Sequence, residues 1–224
     1  MNNKKDIPKI KKPWPTKDAM EQVYEMKLWG GNDDLFYSGE GSHLPEIVNP
    51  YVQALKTFLS SFKEPLTLCD LGCGDFNIGK NLVQFCKNYI AVDIVKSLID
   101  YNQKQFKIEN LAFKCLDIAV DDLPTADCVI VRQVLQHLSN KEVQEVLKKL
   151  ALYKYIVLTE HIPKGDFIPN KDIISGQGIR IKKQSGLNIL AHPFNFKVKE
   201  ARELNSVVLK NNKGIIVTTL YTVF

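Results

Sequence analysis

The chain has 224 residues, 45% of them hydrophobic and 25% charged, with a net charge of +5. That length is enough for one large domain with a full core, and the composition excludes a disordered or low-complexity chain. The mild excess of positive charge lies largely in the first twelve residues, MNNKKDIPKIKK, which read as a solvated arm and do not point to a nucleic-acid surface. DAMEQVYEMKLW, Asp18 to Trp29, then fits a short amphipathic helix with Asp18 as its N-cap. GGNDDLFYSGEGSHLPE is a glycine-rich loop. EIVNPYVQALKTFLSSF is periodic at helical spacing, with Pro50 expected at an early helical position.

After Pro65 the rhythm changes. LTLCDLG reads as a strand and NIGKNLVQFC as a helix; YIAVDI as a strand and SLIDYNQKQF as a helix; LAFKCLDI as a strand followed by a turn-rich crossover. DCVIVRQ is a fourth strand. SNKEVQEVLKKLAL is a helix with a capping box, Ser139 with Glu142 three residues on. KYIVLTEH is a fifth strand. Apolar strands alternating with helices predict a doubly wound, mostly parallel sheet covered on both faces. KVKEARELN reads as helical. SVVLKNNKGIIVTTLYTVF reads as an antiparallel hairpin about NNKG. No run approaches the ~18 apolar residues of a membrane span. The basic N-terminus lacks the apolar core of a signal peptide, so a cytoplasmic location is expected. Cys69, Cys73, Cys86, Cys115 and Cys128 form no CxxC pair and are expected as buried reduced thiols, with no metal site.

The stretch LTLCDLGCGDFNIGKNL carries the functional signal. A strand ends at Asp70, Gly72 and Gly74 permit a sharp turn and close backbone approach, and a helix from about Asn77 would offer free N–H groups. Ligands of such sheets bind beyond the carboxyl ends of the strands. A dinucleotide fingerprint fails, because Asn77 stands where its third glycine belongs, and no Walker pattern is present. A carboxylate before the first glycine would repel a pyrophosphate but suits the cationic amino end of an amino-acid-like cofactor. Asp93 ends the next strand, about twenty residues on, where a carboxylate accepts from ribose hydroxyls. Asp117 ends the third, within reach of an adenine amino group.

Together DLGCGDFNIG, AVDI, CLDI and VRQVLQHLS resemble the class I S-adenosylmethionine-dependent methyltransferase family, over roughly Pro65 to Glu160. LWGG…SGEGS is similar to a smaller bacterial subgroup. The resemblance implies a Rossmann-like three-layer sandwich over residues 65–224 with a C-terminal antiparallel hairpin. The run at about 162–195 is too long for a plain connector and is expected to form an acceptor-site insertion, and residues 1–64 to supply helices and a glycine-rich, hinge-like lid segment. It implies S-adenosyl-L-methionine as cofactor. Asp70 would organise its amino end, Asp93 its ribose and Asp117 its adenine, with Ile94 and Ile118 on either side of the base. Phe76 departs from the family, many members of which place a third glycine there.

Acceptor motifs narrow the chemistry by elimination. The fourth strand ends in VRQVL rather than the Asn/Asp-Pro-Pro-Tyr of amino-methylating nucleic-acid enzymes, and no Pro-Cys pair marks a cytosine-C5 enzyme. A small molecule or glycan precursor, methylated on oxygen, is the expected acceptor. An RNA substrate or a non-catalytic donor-binding subunit are the alternatives. Arg132 and Gln133 would face the donor's carboxylate or the acceptor. His161, Glu160 and His137 are the candidate proton acceptors, and strand alternation allows only one of Glu160 and His161 to face the site. His43 and His192 read as structural or solvated, and Trp29 as lid or core.

Overall fold

The computed structural model of the chain describes residues 13–31, 36–210 and 213–224. Seven strands form one sheet: β1 (Thr67–Leu71), β2 (Asn88–Asp93), β3 (Leu111–Cys115), β4 (Cys128–Arg132), β5 (Tyr155–Ile162), β6 (Glu200–Val208) and β7 (Ile215–Thr222). Their order is β3-β2-β1-β4-β5-β7-β6. β1 to β5 run parallel, and β7 inserts antiparallel between β5 and β6. Chain order reverses between β1 and β4, so the crevice for a ligand opens there.

Among the described residues four α-helices accompany the sheet: α1 (Thr16–Glu25), α2 (Pro45–Leu59), α3 (Lys96–Gln105) and α4 (Asn140–Leu150). Alternate strand residues feed two cores. Leu68, Tyr89, Ile130 and Val157 pack with Tyr51, Leu55 and Leu59 of α2 on one face. Cys69, Val129, Val131 and Ile156 pack with Val143, Val146 and Leu150 of α4 on the other. Each such side chain contributes about 1.5–3 kcal/mol on burial. The capping box of α4 is present, with Ser139 accepting from the Glu142 N–H and Glu142 returning a bond to the Ser139 N–H.

Several local expectations are corrected. No α-helix follows the glycine loop; two 3-10 turns, Gly79–Asn81 and Val83–Phe85, stand in its place. Asn81 donates its side-chain amide to the carbonyls of Asn77 and Ile78, a local bond that competes with the helical ladder. KVKEARELN lies largely in β6, because pairing with β7 overrides the helical propensity of its charged residues. α1 starts at Thr16 with Pro15 in the N-cap position and Asp18 in the first turn. Pro45, not Pro50, occupies the first turn of α2, and Pro50 lies inside that helix. β3 stops at Cys115, which leaves Asp117 in the turn beyond. Four cysteines are buried and free, but Cys115 is exposed. The basic run 1–12, Asn211 and Asn212 of the NNKG turn expected from the sequence, and residues 32–35 of the glycine-rich run lie outside the described residues. Among the described residues no helix is long and apolar enough to cross a membrane, and no group of ligating side chains could hold a metal ion.

Candidate active site

A cavity of about 380 Å³ lies beyond the carboxyl ends of β1, β2, β4 and β5. Every cofactor position named from the sequence lines it: Asp70, Gly72, Gly74, Asp93, Ile94, Asp117, Ile118, Arg132 and Gln133. His137 and His161 line it as well, whereas Glu160 does not.

The glycine loop is held from below. Gly72 and Cys73 donate to the Val92 carbonyl at 2.8 and 2.9 Å. Asp93 accepts from the Gly74 N–H at 3.0 Å and the Val95 N–H at 3.1 Å. Asn102 of α3, fully buried, donates to the Gly74 carbonyl at 2.8 Å. Asp93 thus positions the loop and still faces the cavity. Burial pushes its carboxyl above the usual range, against the backbone N–H groups that lower it. Asp70 accepts from the Tyr89 hydroxyl at 2.7 Å, and burial raises its carboxyl to about 7. The Cβ that Gly72 lacks would fall 2.3 Å from Val134, and that of Gly74 2.3 Å from the Ser38 hydroxyl. Both glycines therefore admit protein neighbours at the loop, in addition to their positive φ of 78° and 55°.

Ser38 belongs to an N-terminal strap, residues 36–43, that crosses the loop. Its N–H donates to Asp75 at 2.8 Å, and its hydroxyl accepts from the Asp75 N–H at 2.8 Å. His43 meets the same Asp75 carboxylate at 2.6 Å. Arg132, at the end of β4, donates to the carbonyl of Gly41 at 2.5 Å and to the Ser42 hydroxyl at 3.3 Å, and lies over the Tyr51 ring at 4.8 Å. Its Nε is buried without a protein acceptor. His43 is thus part of the strap's attachment, a role its loop context alone could not reveal.

The other end of the cavity is built on the turn after β4. The His161 N–H donates to Gln136 Oε1 at 3.0 Å, which aims the Gln136 amide nitrogen at His137 Nε2, 3.4 Å away. His137 Nδ1 lies 3.0 Å from the Gly176 carbonyl. A carbonyl can only accept, so the proton sits on Nδ1 and Nε2 carries a lone pair. Trp29 packs against the ring at 5.4 Å between centroids. Burial drives the His137 imidazole down to about 4, so it is neutral at ordinary pH. The His161 ring instead meets the Lys213 carbonyl through Nε2 at 2.5 Å, and burial lowers it too.

Glu160 points to the opposite face of β5. It is 4% exposed, neither carboxyl oxygen has a well-placed partner, and burial raises it to about 8 against the nearby Arg180 charge. Arg180, 1% exposed, grips the turn after β4 through the carbonyls of Leu135, Gln136 and Leu138 and the side chain of Asn140, at 2.7–3.3 Å. Nothing in the sequence singled out Arg180, Gln136 or Asn102, because each acts through a partner more than twenty residues away. The run SGEGS was the legible signal for the strap.

Residues 69–153 match the family model described as a methyltransferase domain. Among solved structures, the chain is similar to the N-methyltransferase NodS from Bradyrhizobium japonicum in complex with S-adenosyl-L-homocysteine. Identity is 14%, the match covers 92% of this chain and 99% of that one, and the TM-score is 0.63. It is similar to magnesium protoporphyrin IX methyltransferase from Synechocystis PCC 6803 with bound S-adenosylmethionine, at 15% identity, 95% and 99% coverage and a TM-score of 0.57. Human N-acetylserotonin methyltransferase, in complex with S-adenosylmethionine, matches at 17% identity over 81% of this chain and 54% of that one, with a TM-score of 0.53. At these identities the likeness is one of fold. No curated protein matches the chain.

Proposed function

From the match of residues 69–153 to a methyltransferase-domain model and the strand order β3-β2-β1-β4-β5-β7-β6, we propose that the chain moves the methyl group of S-adenosylmethionine to a hydroxyl of a small molecule or glycan precursor. The observation that carries this reading is the cavity itself, with strand-end carboxylates at one end and a neutral, oriented imidazole at the other. Its volume lies within the range of small-molecule sites.

The residues present fit the donor. Arg132 lines the cavity at the end of β4, and its Nε is a buried donor with no protein acceptor, a group left to be satisfied by something other than the protein. Arg132 would hold the donor's carboxylate and Asp70 its amino end. Asp93 has lone pairs beyond its two backbone bonds for ribose hydroxyls, and Asp117 lies at the adenine end between Ile94 and Ile118. Bound there, S-adenosylmethionine supplies a methyl group already activated by its sulfonium.

What remains for the protein is alignment and exclusion of water. The strap and α1 cover the site: Tyr24, Trp29, Ser38 and Gly41 line the cavity. His137 is the proton acceptor by geometry, which ranks before pKa in such an assignment. Its Nε2 lone pair meets only a long contact from the Gln136 amide, at 3.4 Å, while the His161 ring is held by the Lys213 carbonyl at 2.5 Å. With the donor's sulfonium supplying the methyl group and leaving as a neutral thioether, the acceptor hydroxyl would give up its proton to His137 Nε2. Glu160, on the other face of β5, does not line the cavity.

The test has two stages. Calorimetry should show binding of S-adenosylmethionine and S-adenosylhomocysteine; preference for NAD would sink the reading. Labelled donor with cell extract should then give a labelled small molecule. His137→Ala should lower kcat for that acceptor by roughly 10²–10⁴ with donor affinity nearly unchanged. His161→Ala should lower it far less.

A further inference from the structure

The charges around the cavity are distributed unevenly. Its lining carboxylates are Asp70, Asp93 and Asp117, at the ends of β1, β2 and just beyond β3. β5, which carries His161, lies two strands from β1, roughly 10 Å at ordinary strand spacing. The lining there is Gln136, His137, His161, Gln177, Ile179 and Lys182, with no carboxylate. Lys182 is exposed, and among the described residues its ammonium group meets no partner.

The neighbouring acids are withdrawn from this end. Glu160 is on the opposite face of β5 beside Arg180. The Asp172 carboxylate accepts from the backbone N–H groups of Asn140 and Ile173, and Glu142 is taken up by the hydroxyls of Thr16, Ser139 and Ser175. Lys183, next in sequence, is committed to the Asp172 carbonyl at 2.7 Å. A cationic amine entering here would meet a like charge and no counter-ion, whereas an anion would meet a free ammonium donor.

Resting on the methyl-transfer reading above, we propose that the acceptor carries a carboxylate or phosphate group, which pairs with Lys182 at the cavity mouth while the nucleophilic oxygen reaches His137. Lys182 is thereby a specificity-determining residue. The lysine is separated from the donor end, so it selects the acceptor without holding the donor.

The experiment uses the full chain saturated with S-adenosylhomocysteine, titrated calorimetrically with matched probes. These are 4-hydroxybenzoate against its methyl ester and against 4-hydroxybenzylamine, and glycerol 3-phosphate against glycerol. The two series distinguish a carboxylate from a phosphate. The anionic member of at least one series should bind about tenfold more tightly than its neutral partner, the scale of a charge-assisted bond, and the amine most weakly. Lys182→Met should bring that preference to within about twofold, Lys182→Arg should retain most of it, and both should keep S-adenosylhomocysteine affinity within about twofold. The proposal is overturned if no anionic probe is preferred, including if none binds, or if Lys182→Met keeps the preference. It is equally overturned if Lys182→Met loses donor-product affinity by about tenfold, which would place the lysine at the donor's carboxylate. Failure of the wild-type protein to bind S-adenosylhomocysteine at all would instead strike the methyl-transfer reading.

Discussion

Two turns leave the same edge of the sheet, one after β1 and one after β4, and both hold a non-glycine residue at positive φ. Phe76 sits at 62° and Gln133 at 56°. Such a backbone costs on the order of 1–3 kcal/mol and persists only where its surroundings impose it. In the first turn the surroundings are core. Phe76 is fully buried, with Tyr89, Phe106 and Phe113 around it at centroid distances of 4.9–5.6 Å. In the second they are the cavity: Gln133 lines it, and the Cβ that Gly41 of the strap lacks would lie 2.5 Å from its side-chain oxygen. The same strain is offset by packing in one turn and held at the ligand edge in the other. The two turns also meet, since Val134 fills the space that a side chain on Gly72 would take.

The comparison breaks most readily at the core side. Phe76→Ala keeps the strained backbone and removes its compensation, so denaturant unfolding should show a loss of about 3–5 kcal/mol. A loss below ~1 kcal/mol would mean that the ring does not offset the strain. Asp93→Ala acts on the ligand side of the first turn. It strips the Gly74 and Val95 N–H groups of their acceptor, and calorimetry should show donor affinity weakened by about 1–3 kcal/mol.

The third variant tests the buried support behind the second turn. Glu160 has a folded pKa of about 8 against ~4.3 unfolded. Between these values the folded state binds more protons than the unfolded one, so the group lowers stability as pH rises through that window. Its contribution to the slope approaches ~1.4 kcal/mol per pH unit in mid-window. Glu160→Gln should flatten the wild-type decline between pH 5 and 8 in chemical denaturation. An unchanged slope would show that Glu160 does not carry the proton. Gln133→Gly should have the smallest effect on folding, within about 1 kcal/mol, because glycine relaxes the positive φ while losing few core contacts. Turnover should fall nonetheless, since the side chain between strap and cavity is gone. A large stability loss with full turnover would reverse the contrast between the turns.

The sequence by itself determined the sheet, the hairpin and the strand-end residues that line the cavity. Strands buried on both faces read as apolar runs, the capping box of α4 is a local pattern, and Asp70, Asp93 and Asp117 fall at or just beyond strand ends by simple counting. These features depend on neighbours close in the chain. Only the tertiary structure decided that NIGKNLVQFC forms 3-10 turns, with Gly79 against a Phe76 ring that is itself packed on Tyr89, Phe106 and Phe113 from later segments. Only it turned KVKEARELN into an edge strand, through hydrogen bonds to β7. Only it separated the three candidate proton acceptors: His137 is oriented by a carbonyl thirty-nine residues away and His161 by one fifty-two away, while Glu160 is turned to the other face with Arg180. The physical reason is the range of the forces. Propensity and periodicity act along the chain, but burial, tautomer and charge at the β5 end of the cavity are set by contacts between segments that no local pattern encodes.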